Sequence, residues 1–318
     1  MLKMVNQKEN TRQTILHRLF DAQGQTLSGT WIAEKTGISR VAVWKHIKQM
    51  IADGVEIATG PSGYTLARPD DLLHPFCFSP EFRERIFHFF EVTTTMDTAK
   101  ALARKGAPHM SCCIAENQTQ GRGRLNRQWD SARGGLWFTL IIRPDLPPPM
   151  VYIYNFAASL TLARVVNRLF DLEVRVKWPN DLLVKGKKLT GLLSEMETRA
   201  DLISFLAMGI GINVNNDPSG GPFEATSLKN VLGRTVPRRQ ILLEFLTEFA
   251  RVTQDIQIPE IMSQWRACTA TIGRQVRVQT HDNILCGRAV GVEDSGSLII
   301  ETKAGRTKEI IYGDCFHA

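Results

Sequence analysis

Apolar positions recur at helical spacing near the start of the chain. Ile15, Leu16, Leu19 and Phe20 share one face, and Ile32 and Ala33 open a second short run. A Thr36-Gly37-Ile38 turn follows, and then Ser39, a side chain suited to capping a helix. Beyond it Val43, Ile47, Met50 and Ile51 fall on one expected buried face, and Gly54 stops the helix. Val55 to Ala58 and Tyr64 to Leu66 read as strands around the turn Gly60-Pro61-Ser62-Gly63. Two helices joined by a glycine turn and followed by a two-stranded wing predict a winged helix-turn-helix over residues 1–68.

Strand and helix signals then alternate over residues 69–270. Arg68-Pro69-Asp70-Asp71 begins the connection, and Pro75 and Pro80 recur before an apolar patch. Cys112 to Ala115 and Leu136 to Ile142 are apolar runs of strand length, and Ile153 to Phe170 has helical period. Val174 to Val176 leads into Lys177. Leu182 to Val184 and Lys188 to Leu193 flank Lys185-Gly186 and should pair as a hairpin. Leu202 to Val214 reads as a further strand and Gln240 to Val252 as a helix, so the middle of the chain is expected to be a mixed α+β domain. Four short strands are predicted in residues 271–318: Gln275 to Gln279, Ile284 to Val292, Ser297 to Glu301 and Lys308 to Ile311. They are parted by Asp-Asn, Asp-Ser-Gly and Ala-Gly turns and suggest a small SH3-like β-barrel.

Composition narrows the classes. With 318 residues, 43% hydrophobic and 22% charged, the chain has the make-up of a globular protein with room for two or three domains. A net charge of +7 permits an anionic partner without naming one. The six cysteines form no CxxC cluster, so reduced thiols are expected rather than a metal site or disulfide frame. The polar start MLKMVNQKENTRQ has no apolar signal core, and no apolar run reaches the ~18 residues of a membrane span. The expected location is the cytoplasm, with no membrane partner.

Two stretches carry candidate chemistry. From Gln118 to Ser131 the chain places Gly121 and Gly123 among Arg122, Arg124 and Arg127, with Arg133 just beyond. Glycines let the backbone approach a ligand, and guanidinium groups donate in pairs to carboxylate or phosphate. No GKS or GKT follows, and the third glycine of a dinucleotide fingerprint is missing. Trp129 could stack on a base or anchor the loop in the core. The second stretch is Lys177-Trp178-Pro179-Asn180-Asp181, where Pro179 fixes its own φ and restricts Trp178, presenting an amide and a carboxylate on a stiff corner. Together they suit adenylation of a small carboxylic acid by ATP. Lys188, beside a turn, reads on spacing alone as solvated. The glycines of Gly209-Ile210-Gly211-Ile212-Asn213 mark close approach by a ligand or by another backbone. On the first domain, Ser39, Arg40, Lys45, His46 and Lys48 are expected at the outward side of the second helix of the motif, where they suit phosphates and base edges.

These segments resemble the biotin protein ligases. The matching set is Thr94-Thr95-Met96-Asp97, Gln118 to Arg124, Lys177 to Asp181, Lys188-Leu189-Thr190-Gly191 and Gly209 to Asn215, in the family's order. The winged helix and C-terminal barrel match the longer form, which is both biotin-[acetyl-CoA-carboxylase] ligase and biotin operon repressor. The resemblance implies a biotin pocket of Thr94, Thr95, Met96, Gln118, Arg122, Gly123, Arg124, Lys188 and Gly191. It implies a nucleotide side of Arg124, Arg127, Trp129, Lys177, Asn180, Asp181 and Asn213, and catalytic roles for Lys188 and Arg122. It further implies biotin and ATP as substrates, Mg²⁺ with the nucleotide, a biotin carboxyl carrier protein and operator DNA as partners, and a homodimer. Two departures stand out. Met96 replaces an amide, and Leu125-Asn126 replaces an Arg-Gly pair, with Asn126 expected to supply any left-handed residue the loop needs. The rival readings are a regulator that only senses a ligand, and a lipoate-type ligase, whose RRxSGGG segment is absent.

Overall fold

Two serines set the first helices. The Ser28 hydroxyl accepts from Trp31 N at 3.1 Å and the Ser39 hydroxyl from Ala42 N at 3.2 Å, each satisfying an otherwise unpaired donor of the first turn. The structure, a computed structural model, describes residues 7–199, 202–219, 224–280 and 283–317. It divides into two compact units, Met1–Ser79 and Pro80–Ala318.

The first unit contains α1 (Gln7–Asp21), α2 (Gly29–Thr36), α3 (Arg40–Ala52) and the antiparallel wing β1 (Ile57–Gly60) and β2 (Gly63–Leu66). Gly37, at φ +68°, terminates α2 in the left-handed conformation that favours glycine. Ile15, Leu16, Leu19, Ile32, Val43, Ile47 and Met50 are buried. Arg12 and Asp53 tie α1 to the end of α3 at 3.1 Å. Two local expectations shift. Ile51 is 40% exposed, because one residue past Met50 the helix has turned a further 100° away from the core. The first wing strand begins at Ile57 rather than Val55, since Val55 N is still bonded to Met50 O at the close of α3.

The second unit is built on a seven-stranded sheet. Its strands are β3 (Ile86–Val92), β4 (Ser111–Gln118), β5 (Leu136–Ile142), β6 (Val174–Lys177), β7 (Asp181–Val184), β8 (Lys187–Arg199) and β9 (Leu202–Ile212), in the order β3-β4-β5-β9-β8-β7-β6. Only β3 and β4 run parallel; the other neighbours are antiparallel. Its helices are α4 (Pro80–Arg83), α5 (Thr95–Arg104), α6 (Tyr152–Phe170), α7 (Leu228–Leu232), α8 (Arg238–Gln254) and α9 (Ile258–Ala267). α5 packs on β4, β5 and β9, and Met96, Ala99, Leu102 and Ala103 join Cys113, Ile141, Phe205 and Ala207 in the core. α6 packs against α8, α9 and β6. It is buried on nearly every side, from Ile153 to Val166, which explains its apolar sequence.

The C-terminal part is an antiparallel sheet of β10 (Gln275–Gln279), β11 (Ile284–Val292), β12 (Leu298–Glu301), β13 (Thr307–Ile310) and β14 (Asp314–His317) in the order β13-β12-β11-β10-β14. The expected SH3-like unit is therefore present with five strands instead of four. The Asp-Asn turn expected at 282–283 lies partly outside the described residues. Trp178 anchors this sheet to the larger one: its indole donates to Gly296 O at 2.9 Å and its backbone N to Thr271 Oγ1 at 3.0 Å.

Candidate active site

The strand ends, the arginine loop and β14 enclose a cavity of about 750 Å³. Every residue expected at the biotin and nucleotide sites lines it, from Thr94 to Asn213. The sheet explains this convergence. β5, β9 and β8 are adjacent, and the hairpin of β7 and β8 brings Asp181 opposite Gly191 and Leu183 opposite Lys188.

At one end Thr94 caps α5, accepting from Met96 N at 3.2 Å. Gln118 is held from two sides. Its Oε1 accepts from Thr95 N at 2.7 Å and Thr95 Oγ1 at 3.0 Å, while its Nε2 donates to Ser131 Oγ at 2.7 Å. The Thr95 and Thr139 hydroxyls lie 2.8 Å apart. Met96 is buried, and a Cβ built on Gly209 would stand 3.0 Å from its methyl carbon. Met96 is thus packed against the β9 backbone at this position.

Each arginine of the loop has an acceptor. Arg122 Nη2 donates to Asp97 Oδ1 at 2.6 Å, Arg124 Nη1 to Asn180 Oδ1 at 3.1 Å, and Arg127 pairs with Asp314 Oδ2 at 2.5 Å. Arg127 also lies over the Phe316 ring at 5.7 Å. Burial opposes ionisation of Asp97, but Arg122 and Lys100 outweigh it and hold its pKa below the ordinary value. Burial lowers the Arg124 pKa, with Asp314 and Asp181 acting in the other direction. Asn180 is fixed in turn, its Nδ2 donating to Leu192 O. The left-handed residue of the loop is Leu125, at φ +52°, rather than Asn126, so strain falls on an exposed leucine.

Lys188 Nζ is 2.7 Å from Asp181 Oδ1, and Lys177 Nζ is 3.9 Å from Asp181 Oδ2. Lys188 is thus inside the cavity rather than solvated, as its spacing alone suggested. Its ammonium also sits 5.2 Å from the Trp129 ring. That indole rests on bare backbone. Gly191 and Gly211 are cross-strand partners; a Cβ on Gly211 would come within 2.6 Å of Trp129 Nε1, and one on Gly191 within 2.9 Å of its Cζ3. Gly191 and Gly211 therefore make room for a loop side chain rather than for another backbone. Asn213 lines the same cavity but is nearly buried, with its Oδ1 accepting from Asn216 Nδ2 at 3.0 Å.

Sequence reasoning missed the wall formed by β14. Asp314, Cys315, Phe316 and His317 line the cavity, and burial drives the His317 pKa down to about 4, aided by Lys177 and Arg274 against Asp181. No motif signal marks these residues. The alternation of Asp314-Cys315-Phe316-His317 is too short to register as a strand before its pairing with β10 is known. In the first unit, Ser39 caps α3, Arg40, Lys45 and Lys48 are exposed, and His46 is half-buried.

Comparison with known proteins fits this geometry. Residues 88–213 match the biotin/lipoate A/B protein ligase family, residues 271–318 the biotin protein ligase C-terminal domain, and residues 11–65 an HTH domain. The chain is 32% identical over 315 residues to the bifunctional ligase/repressor BirA of Bacillus subtilis (strain 168), covering 95% of this chain and 97% of the relative. It is 35% identical over 213 residues to the biotin--[acetyl-CoA-carboxylase] ligase of Mycobacterium tuberculosis, covering 64% of this chain and 77% of that one. Among solved structures, the Aquifex aeolicus biotin protein ligase in complex with biotin and ATP superimposes with a TM-score of 0.62 at 26% identity, over 73% of this chain and 98% of that one.

Proposed function

Since the chain belongs to the family of bifunctional biotin ligase/repressors, we propose that the arginine-loop cavity takes biotin and ATP, forms biotinyl-5′-AMP and serves transfer of biotin to a lysine of a carrier protein. The observation that carries this reading is the cavity itself, where Lys188, Lys177 and three loop arginines converge beside the Thr95–Gln118–Ser131 hydrogen-bonded corner. A neutral, hydrogen-bonding corner suits the biotin head. The cationic end suits a carboxylate meeting a triphosphate.

In the first step a biotin carboxylate oxygen attacks the α-phosphorus of ATP, and the bond to the β-phosphate oxygen breaks to release pyrophosphate. Lys188 and Arg122 would neutralise the negative charge that builds on the phosphoryl and carboxylate oxygens, which would accelerate the step because they are already positioned. Arg124, Arg127, Lys177, Asn180 and Asp181 would hold the nucleotide, with Trp129 beside its base. In the second step the carrier's lysine amine attacks the acyl carbon of the mixed anhydride and AMP leaves. Closure of the loop from Gln118 to Ser131 would keep water from that anhydride.

Magnesium would enter with the nucleotide. Among the described residues no three His, Cys, Asp or Glu side chains form a metal cage, so the phosphates would hold most of the ion, with a cavity carboxylate such as Asp181 supplying a protein oxygen. The ion would neutralise phosphate charge.

The division of labour we propose assigns operator binding to residues 1–68, ligation to 69–270 and a covering wall to 271–318. Adenylate-bound homodimers would repress a biotin-synthesis operon, a paired arrangement suited to a two-fold DNA site. With a carrier protein and operator DNA as partners, the protein would work in the cytoplasm. Among the described residues no helix is long and apolar enough to cross a membrane. Pyrophosphate release that requires both biotin and ATP, followed by biotin labelling of a carrier domain, tests the ligase reading; absence of release with folded protein overturns it.

A further inference from the structure

The outward stripe of α3 is not wholly polar. At 100° per residue, Val41, Trp44, Lys45 and Lys48 line one side of the helix, opposite the buried Val43, Ile47 and Met50. Val41 is 62% exposed and Trp44 is 50% exposed. A single exposed apolar residue is ordinary, but Val41 and Trp44, one turn apart, form a small exposed apolar strip among the cations of this side.

What surrounds the strip narrows the occupant. Lys48 Nζ sits 5.3 Å from the Trp44 ring centroid. Lys45 is exposed beside it, and Arg40 is exposed at its flank. Arg40 also leans toward α2, since a Cβ on Gly29 would lie 3.7 Å from its Cγ and Nε. The stripe itself carries no acidic side chain. An apolar centre bordered by cations complements a surface of apolar spots between anionic rows. Duplex DNA has that character in its major groove, where thymine is the base that presents a methyl group. The cap at Ser39 places Arg40 and Val41 in the first turn, the end of a recognition helix that meets base edges.

We infer that Val41 and Trp44 read thymine C5-methyl groups of the operator, while Arg40, Lys45 and Lys48 fix the helix on the flanking phosphates. The inference rests on the operator-binding reading. Part of the sequence preference then comes from apolar contact rather than hydrogen bonds, and the preferred duplex carries thymines beneath the N-terminal turns of α3.

The test starts by selecting duplexes from a random library with the full chain, biotin and ATP. Each thymine of the recovered sequence is then replaced by deoxyuridine, which keeps base pairing and removes only the methyl. Wild-type protein should lose about fourfold in affinity at one or more thymines, the factor equivalent to ~0.8 kcal/mol for one buried carbon. Val41→Ala and Trp44→Ala should bind the thymine duplex more weakly and become indifferent to the matching deoxyuridine, with pyrophosphate release unchanged. A recovered duplex whose deoxyuridine forms bind wild type and variants with unaltered ratios overturns the inference and leaves the repressor reading standing. Recovery of no preferred duplex removes the repressor reading and the inference with it. Variants that change the sedimentation of the DNA-free protein would assign the strip to a protein contact, which also overturns it.

Discussion

Lys188 and Asp181 meet across the β7–β8 hairpin, with Nζ and Oδ1 2.7 Å apart, and the same ammonium sits 5.2 Å from the Trp129 ring. A partly buried ion pair in a ligand cavity holds a cation in position at the cost of partly neutralising it. Lys188 is therefore oriented by Asp181 before any anion arrives, and an incoming phosphate competes with that carboxylate for the same ammonium.

Replacing Lys188 by Ala should leave the fold intact and raise the barrier to adenylate formation by about 2–4 kcal/mol, the usual cost of losing one positioned donor in a transition state. Pyrophosphate release in single-turnover experiments reads this directly. Release within threefold of wild type would remove Lys188 from the chemistry.

Asp314 is expected to steady the arginine loop from β14 through Arg127. In Asp314→Asn the charge pairing is lost, and amide hydrogen exchange across Gln118–Ser131 should quicken in the ligand-free protein. Addition of biotin and ATP should abolish the difference, because phosphates would replace the missing carboxylate. Equal exchange in both free proteins would show that Asp314 does not restrain the loop.

Gly211→Ala tests the floor beneath Trp129. The added methyl would enter the space of Nε1 at 2.6 Å, so the indole must leave or β9 must shift. A destabilisation of about 1–3 kcal/mol is expected in chemical denaturation, together with a changed Trp129 environment. The control is Gly233→Ala at the C-terminal cap of α7, where nothing lies within 4 Å but φ is +70°; it should cost stability without weakening ligand binding.

Stability should fall as acid is added, in two windows. His317 has its pKa lowered to about 4, against about 6.5 in an unfolded chain, by burial first and then by Lys177 and Arg274. Its folded form resists protonation, so its contribution is complete above pH ~6.5 and is lost as pH falls toward 4. For Glu116, burial works against ionisation, but Arg238 at 2.6 Å and His88 at 3.0 Å outweigh it and hold the carboxyl well below the ordinary range. Its contribution is complete above about pH 4.5 and drains away below that. His317→Asn should flatten the melting-temperature profile between pH 6.5 and 4 while leaving the lower decline. An unchanged slope in the upper window would contradict the assignment.

Much of this protein was legible in its sequence because local rules decide it. The cap at Ser39, the turn at Gly37, the wing, the apolar runs of β4 and β5 and the β7–β8 hairpin all follow from residue type and spacing over a few positions. The motif residues were legible too, since glycine-spaced arginines and a Trp-Pro corner have few local explanations. Other features are set by packing over long separations. Lys188 became a cavity residue only when β7 brought Asp181 against it. Trp129 found its seat only when β8 and β9 aligned Gly191 with Gly211. The four residues of β14 form a wall because β10, some forty residues earlier, supplies their hydrogen bonds. Spacing likewise put Ile51 inside and left Val41 and Trp44 unremarked. The exact rotation of α3 against α1 and α2 made Ile51 peripheral and turned Val41 and Trp44 outward, a matter of side-chain fit that no short stretch of sequence contains.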